Sequence, residues 1–169
     1  MIEDEKLLLD VLNSAPRDGG EPLEYLHGQR GVALARAYGG SGDDPELRHL
    51  RIARDRLQDL IRGSETATKS LQALMSEASM RAEVTPHGVE WKLSAPPDVR
   101  LAARVLQAWS QVNEHLPGRL RACANTECNL YLIDHTRPGT AKWCSMATCG
   151  NRMKARAHAA RTRNPKSRN

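Results

Sequence analysis

Four cysteines close to the end of the chain constrain this sequence more than any other feature. Cys123 and Cys128 are separated by four residues, as are Cys144 and Cys149, and fifteen residues separate the two pairs. A tetrahedral metal site needs such an arrangement, because each pair supplies two thiolates from one turn and the segment between them folds back. The spacing therefore predicts a zinc site whose four ligands all come from the protein.

The alternatives for these cysteines are two disulfides, free thiols or a different metal. The N-terminal sequence is acidic, and its apolar run is too short for a signal peptide or a membrane span, so we expect the protein in the cytoplasm. In that reducing compartment a clustered set of cysteines favours a metal over disulfides. Four thiolates leave no open coordination position, which predicts a structural site. Iron is the main rival to zinc, since four-thiolate sites also hold iron.

The residues before the cysteines predict a mostly helical domain with one β-hairpin. With three Trp, three Tyr and no Phe, the core must consist mainly of Leu, Ala and Val, which favours helices. Apolar spacing predicts helices over residues 3–13, 22–26, 32–38, 45–62, 66–81 and 97–115. Residues 83–94 alternate in polarity on either side of a Pro-His-Gly turn, which predicts a hairpin. Pro117-Gly118 marks the end of this domain.

The cysteine-containing segment predicts a small finger of treble-clef type. Residues 129–134 and 140–143 are the expected arms of a hairpin, and a helix is expected after Cys149. Cys149 would then lie in the first helical turn, where the helix dipole favours a thiolate. Gly150 would let the backbone pass close to the metal, and Trp143 would cover one side. The predicted fold is thus mainly α with small β-hairpins (α+β), comprising a helical domain over 1–117, a finger over 119–163 and a basic tail over 164–169.

Charge is divided unevenly between the two parts. Residues 119–169 carry eleven Lys/Arg and two acids, a net charge of +9, whereas residues 1–118 have a net charge of −4. The expected final helix contains no acid, and its narrow apolar stripe, Met153, Ala157 and Ala160, is expected to pack on the hairpin.

A slim basic helix of this kind suits the major groove of duplex DNA, and it suits RNA phosphates as well. The alternatives are a solvated basic face, or cations that neutralise the negative charge of a four-thiolate zinc centre. The candidate nucleic-acid contacts are Arg137, Lys142, Arg152, Lys154, Arg156, Arg161 and Arg163.

One string of residues resembles a known family, the CGNR zinc fingers of bacterial proteins. It reads Trp143-Cys144-Ser145-Met146-x-x-Cys149-Gly150-Asn151-Arg152-x-Lys154. The stretch from Leu130 to Asp134, followed by Thr136-Arg137, also resembles that family. The departures are conservative, with Lys142 in place of Arg, Thr136 in place of Ser and Tyr131 in place of the usual Phe.

In that family the finger usually follows a helical domain called ABATE, which residues 1–117 resemble more loosely through the stretch Leu9-Asp-Val-Leu-Asn-Ser14. The resemblance implies a transcription regulator with its finger on DNA and a small-molecule effector on the N-terminal domain. Candidate ligand residues are Asn13, Arg36, Trp91 and Trp109. Each also has a structural interpretation: Asn13 as a helix cap, Arg36 as a surface residue, and the tryptophans as core.

Three functions compete at this stage: a DNA-binding regulator, an RNA- or ribosome-associated module, and a protein-interaction adaptor. A metal-dependent nuclease would place Asp134, His135 and Asn151 in a catalytic site, but the sequence offers no further base and no open metal position, so we expect no enzymatic activity. A palindromic DNA target would require a homodimer. No heptad pattern or exposed apolar stripe in the sequence identifies an interface for it.

Overall fold

A computed structural model describes residues 4–17 and 20–163 of the chain, and for Arg163 it describes the backbone alone. Six helices and two antiparallel hairpins lie within these ranges. The helices are α1 (Glu5–Leu12), α2 (Gly28–Ala37), α3 (Asp44–Ile61), α4 (Thr68–Leu74), α5 (Pro97–His115) and α6 (Asn151–Arg163). The strands are β1 (Ser79–Thr85), β2 (Gly88–Ser94), β3 (Leu120–Ala122) and β4 (Tyr131–Ile133).

The two long helices begin and end where the sequence predicts. At the start of α3 the Asp43 carboxylate accepts a hydrogen bond from the Glu46 N–H at 2.9 Å, and Pro45 occupies the first turn. Helix α5 begins at Pro97, where the missing N–H costs no helical hydrogen bond. Both predicted helices are confirmed.

Two other predicted helices are wrong in part or in whole. Residues 22–26 are extended, because the N–H groups of Leu23 and Tyr25 donate to the carbonyls of Pro16 and Ser14, both at 2.8 Å. The helix predicted over 66–81 consists of a 3-10 turn followed by α4, and it ends at Leu74. Residues from Ser79 onward belong to β1 instead, so the predicted hairpin begins four residues earlier than expected.

The core of the helical part lies between α1, α3 and α5. Leucines and valines from these helices are almost wholly buried, among them Leu8, Leu50 and Val105. Two charged side chains of α3, Glu46 and Arg54, are buried as well. Arg54 of α3 binds both carboxylate oxygens of Glu24 at 2.7 Å and the Ser14 hydroxyl at 3.1 Å, which fixes the extended segment against the helix.

The second hairpin, β3–β4, packs on this helical core. Leu120, Tyr131 and Ile133 belong to the same buried apolar cluster as α1, α3 and α5. The Asn13 side chain, just after α1, accepts a hydrogen bond from the Tyr131 N–H at 2.7 Å and donates one to the Tyr131 carbonyl at 3.1 Å. The predicted boundary at Pro117-Gly118 lies in the turn that follows α5, where Gly118 has a φ of +72°. The two parts of the chain therefore share apolar packing across that boundary.

Within the described ranges, every helix is either too short or too polar to cross a lipid bilayer.

Candidate metal centre and basic helix

The fold brings all four cysteines to one point. Their Sγ atoms lie within 4.8 Å of one another, and the Cys128–Cys144 and Cys144–Cys149 sulfur distances are both 3.7 Å. Tetrahedral zinc with Zn–S bonds of about 2.3 Å would hold its sulfurs roughly 3.8 Å apart. A disulfide needs about 2.05 Å, and all four thiols are free. The sulfur positions fit one tetrahedral metal ion and exclude the disulfide alternative in this conformation.

The first cysteine pair lies in the turn between β3 and β4. The Cys123 N–H donates to the Leu130 carbonyl, and the Cys128 N–H donates to the Asn125 carbonyl, each at 2.8 Å. Two backbone N–H groups point at sulfur, from Leu130 to Cys128 and from Cys144 to Cys123, each at 3.5 Å. Such N–H···S contacts stabilise thiolates, as metal ligation requires.

The second cysteine pair leads directly into α6. The Ser145 hydroxyl accepts a hydrogen bond from the Thr148 N–H, which begins a π-helical turn over Met146–Gly150 that ends where α6 begins. Cys149 is buried in that turn, as the sequence predicts. Gly150 also has a role in packing, while its predicted approach to the metal stays a prediction. A Cβ atom there would lie 2.9 Å from the Met146 sulfur and 3.2 Å from the Trp143 ring, so glycine makes room for these two side chains.

The hairpin predicted inside the finger is wrong. Residues 140–143 form no strand, and β4 pairs with β3, with Leu120 opposite Ile133 and Ala122 opposite Tyr131. The segment before Cys144 is held by single hydrogen bonds, such as that from the Ala124 N–H to the Lys142 carbonyl at 2.8 Å. The turn of the β3–β4 hairpin thus carries the first cysteine pair, and a loop follows β4. The finger therefore consists of a hairpin, a loop and a helix, in that order.

The pKa values of Cys128, Cys144 and Cys149 are not all shifted in the same direction. Burial raises the pKa of Cys144, and its hydrogen bonds with Cys128 and Cys149 raise it further. Burial also raises the pKa of Cys128. For Cys149 burial acts in the same direction, but the hydrogen bond from the Asn125 side chain and those among the thiols outweigh it, so its pKa is lowered. Four adjacent thiolates repel one another, so complete ionisation of the cluster needs a bound cation.

Two buried polar residues support the site, and the sequence did not single out the first of them. Asn125 is fully buried; its amide N–H donates to Cys149 Sγ at 3.6 Å, and its side-chain oxygen accepts from the Glu127 N–H. A polar residue inside a cysteine knuckle is the signal that could have identified it.

Asp134 orders the loop after β4. Its carboxylate accepts hydrogen bonds from the Thr136 hydroxyl and N–H, the Ala141 N–H and Arg121 at 2.6–2.8 Å. Arg121 also forms an ion pair with this carboxylate at 2.7 Å. The hydrogen bond from the Thr136 hydroxyl is the main reason why the pKa of Asp134 is lowered.

The final helix α6 is exposed along its length. Met153 is half-buried, but Ala157 and Ala160 are exposed, so the prediction that this stripe packs on a hairpin is wrong. The helix packs mainly on the π-helical turn before it. Since that turn holds Cys149, the metal site fixes the base of the helix while its sides remain open to solvent.

The predicted nucleic-acid contacts are exposed wherever the structure describes their side chains. One of them is already paired, because Arg156 donates to Glu127 of the first knuckle at 2.6 Å. The Arg163 side chain lies outside the described residues. The exposed members of the set are Arg137, Lys142, Arg152, Lys154, Arg156 and Arg161.

The four candidate ligand residues are spread over the helical part. Asn13 binds the backbone of Tyr131, Arg36 is exposed on α2, and Trp109 packs at the edge of the core. Trp91 is 65% exposed on β2, where it borders a cleft of about 580 Å³ against α5. The structure therefore does not bring these four side chains to one cavity.

The residues considered for a nuclease have structural partners of their own. Asp134 is buried, His135 is exposed and pairs with Glu5 of α1, and the Asn151 side chain donates to the Ala147 carbonyl.

Comparison with known proteins agrees with the geometry of the cysteine site. Residues 119–162 match the family model of the CGNR zinc finger. No curated protein matches the chain. The matched segment begins one residue before β3, contains all four cysteines and ends one residue before the end of α6. Residues 119–162, which carry the four cysteines and α6, are thus similar to CGNR zinc fingers.

Proposed function

We propose that this protein is a zinc-dependent DNA-binding regulator that uses α6 as its DNA-contacting element. The observation that carries the proposal is the exposure of this acid-free helix directly beside the metal site. A basic helix whose side chains are mostly exposed is the element expected to enter a groove lined by phosphates.

Zinc is the proposed metal. Four thiolates at tetrahedral spacing match its preferred structural ligand set, and they leave no position for a substrate. Its chemistry would therefore be structural: it would join the β3–β4 turn to the base of α6. Zinc and iron are distinguished by metal analysis and by the visible absorption that iron–thiolate bonds give and zinc–thiolate bonds do not.

The distribution of cations around α6 suits a groove. At about 100° per residue, Arg152 and Arg156 lie on one flank, while Lys154 and Arg161 lie on nearly the opposite flank. Half-buried Met153 marks the side that faces the finger. The side opposite Met153 carries no Lys, Arg or acid, and most of its residues are small: Asn151, Ala155, His158, Ala159 and Thr162. This edge can approach base pairs closely, with a row of cations reaching the phosphates on either side.

The structure also supports a binding role over a catalytic one. The Asp134 carboxylate is buried and receives four hydrogen bonds, so it is not available as a general base. A role for the helical part in sensing an effector stays a prediction drawn from the ABATE resemblance.

The test is fluorescence anisotropy of labelled duplex DNA and matched RNA with the zinc-loaded full chain, over a salt series. We expect DNA binding that weakens steeply with salt and is lost on chelation. The double variant Lys154→Ala/Arg161→Ala should reduce the slope of log affinity against log salt by about 2, because each lost phosphate contact removes roughly 1.

A matched control is Arg48→Ala/Lys69→Ala, which removes two exposed cations from the helical part and should leave the salt slope unchanged. Equal losses in both double variants would show that only overall charge matters and would contradict the proposal. A preference for RNA would favour the RNA-associated alternative, and absence of binding to either would favour a protein-interaction adaptor.

A further inference from the structure

The hairpin β1–β2 has one wholly apolar face and one wholly polar face. In its register, Met80 lies opposite Leu93, Ala82 opposite Trp91 and Val84 opposite Val89, and all six side chains share one face because side chains alternate along a strand. The opposite face carries the polar partners Ser79, Arg81, Glu83, Thr85, Glu90, Lys92 and Ser94. Lys92 and Glu83 pair on that polar face at 2.5 Å.

This apolar face is uncovered. Val84 is 87% exposed and Val89 is 57% exposed, and the hairpin makes only slight contacts with the helices and strands of the described ranges. A two-stranded hairpin is marginally stable in water by itself. An apolar face of this size on a soluble protein marks an interaction site.

The base of the hairpin forms one wall of a cleft. On the hairpin side the cleft is lined by Trp91 and Leu93 of the apolar face and by Glu90 and Lys92 of the polar face. Gln107, Ala108 and Gln111 of α5 line the other side, around a volume of about 580 Å³, and the Asp4–Arg104 ion pair also borders the cleft.

We propose that the hairpin is the interface of a homodimer, in which two copies pack their apolar faces together about a two-fold axis. With the two hairpins antiparallel, the tip residues Val84 and Val89 of one copy lie on the base residues Met80 and Leu93 of the other, at the mouth of its cleft. The Ala82–Trp91 pair lies at the middle of the face and therefore next to the axis. Apolar groups meet apolar groups at every position, as a self-complementary interface requires.

The area and the charges both suit a second copy. The face is about 17 Å long and about 10 Å wide. With Trp91 as its largest member, it offers on the order of 400–500 Å² per copy. Two faces would bury about 800–1,000 Å², up to the lower bound for a specific interface, and the cleft walls bring this toward the roughly 1,200–2,000 Å² of stable complexes. No charged residue lies on the face, so association buries no unpaired charge.

The test is sedimentation equilibrium of the zinc-loaded full chain over a concentration series, without nucleic acid. We expect a monomer–dimer equilibrium whose dissociation constant rises about a hundredfold in Val89→Lys, because the new charge would be buried unpaired against the apolar base residues of the second copy. Ser79→Lys places the same charge on the polar face of β1 and should leave the constant unchanged. Trp91→Phe retains an aromatic ring at the axis and should dimerise nearly as well as the wild type.

Circular dichroism of each variant establishes that the hairpin and helices are folded. Intrinsic fluorescence gives a second measure, because Trp91 passes from water to apolar contact on association and its emission should move to shorter wavelength with concentration. A wild-type chain that remains monomeric, or a dimer that Val89→Lys leaves intact, would overturn the proposal. Because DNA is absent, either result is independent of whether α6 binds it.

Discussion

The longer of the two hairpins in this molecule is the more exposed, and the shorter one is the more buried. Hairpin β1–β2 has seven-residue strands in full register, yet almost all of its side chains are exposed. Hairpin β3–β4 has strands of three residues, yet Leu120, Tyr131, Leu132 and Ile133 are buried. The short hairpin is fixed at its turn by the cysteine cluster and at its side by Asn13 and the helical core.

What stabilises a hairpin in this chain is therefore its contacts with other elements, since strand length and register alone leave an apolar face in water. The short hairpin obtains these contacts within the chain. The long one, in our proposal, obtains them from a second copy. The following predictions remove the contacts of the short hairpin one at a time, from the strongest to the weakest.

Loss of the metal should have the largest effect. Cys144→Ser, or chelation of the wild type, should unfold the finger, because structural zinc contributes on the order of 10–16 kcal/mol to small domains of this kind. Hydrogen exchange followed by mass spectrometry should show amides of 120–163 losing protection while α3 and α5 keep theirs. Retained protection across β3–β4 in the metal-free protein would show that packing on the helices suffices.

Removal of the Asn13 side chain should have the next largest effect. Asn13→Ala leaves the Tyr131 N–H and carbonyl without their hydrogen bonds, which should lower the free energy of unfolding by about 1–3 kcal/mol. Chemical denaturation measures this. The control is Asn113→Ala on the exposed side of α5, where the better helix-forming residue should leave stability equal or slightly higher. Similar losses of stability in both variants would mean that the hydrogen bonds to Tyr131 are not the cause of the loss.

Asp134 should give a smaller, pH-dependent effect. Its pKa is lowered in the folded protein, chiefly by the Thr136 hydroxyl, so its contribution to stability is complete above its unfolded pKa of about 3.9 and is lost as the pH falls through the folded value. Asp134→Asn should therefore be less stable than the wild type at neutral pH, and the difference should shrink in acid. Urea unfolding of both proteins at matched pH and metal content measures the difference; a constant gap would contradict the expectation.

Tyr131→Phe should have the smallest effect, with unchanged or slightly higher stability. The Tyr131 hydroxyl is buried without a hydrogen-bond partner among the described residues, and burial raises its pKa to about 12. Replacing it removes an unsatisfied polar group but keeps the ring that packs on the core and under Arg62. Thermal unfolding would measure the change, and a clear loss of stability would indicate an unseen partner for the hydroxyl, such as bound water.

The sequence predicted features that depend on local chemistry. The bounds of α3 and α5 follow from their caps and prolines, and the cysteine spacing located the metal site. The sequence did not predict which strand pairs with β4. A three-residue strand has no pattern long enough to determine its partner, and the positions of the sulfurs determine it instead.

Contacts distant in sequence were also beyond prediction. Asn13 lies at the C-cap of α1, in agreement with its helix-cap interpretation, but its side chain binds a strand 118 positions away, which no local pattern indicates. Likewise, nothing near Arg54 in sequence indicates that it fixes Glu24 and keeps residues 22–26 out of a helix.

The packing of β3–β4 on the helices has a consequence for protein engineering. Residues 119–163 cannot be treated as a cassette, because a chimaera carrying only that segment would expose Leu120, Tyr131 and Ile133 on one side and leave the Tyr131 backbone without Asn13. A transplanted finger would need either a host surface of similar shape or polar replacements at these three positions. The natural unit for transfer is the finger together with the end of α1.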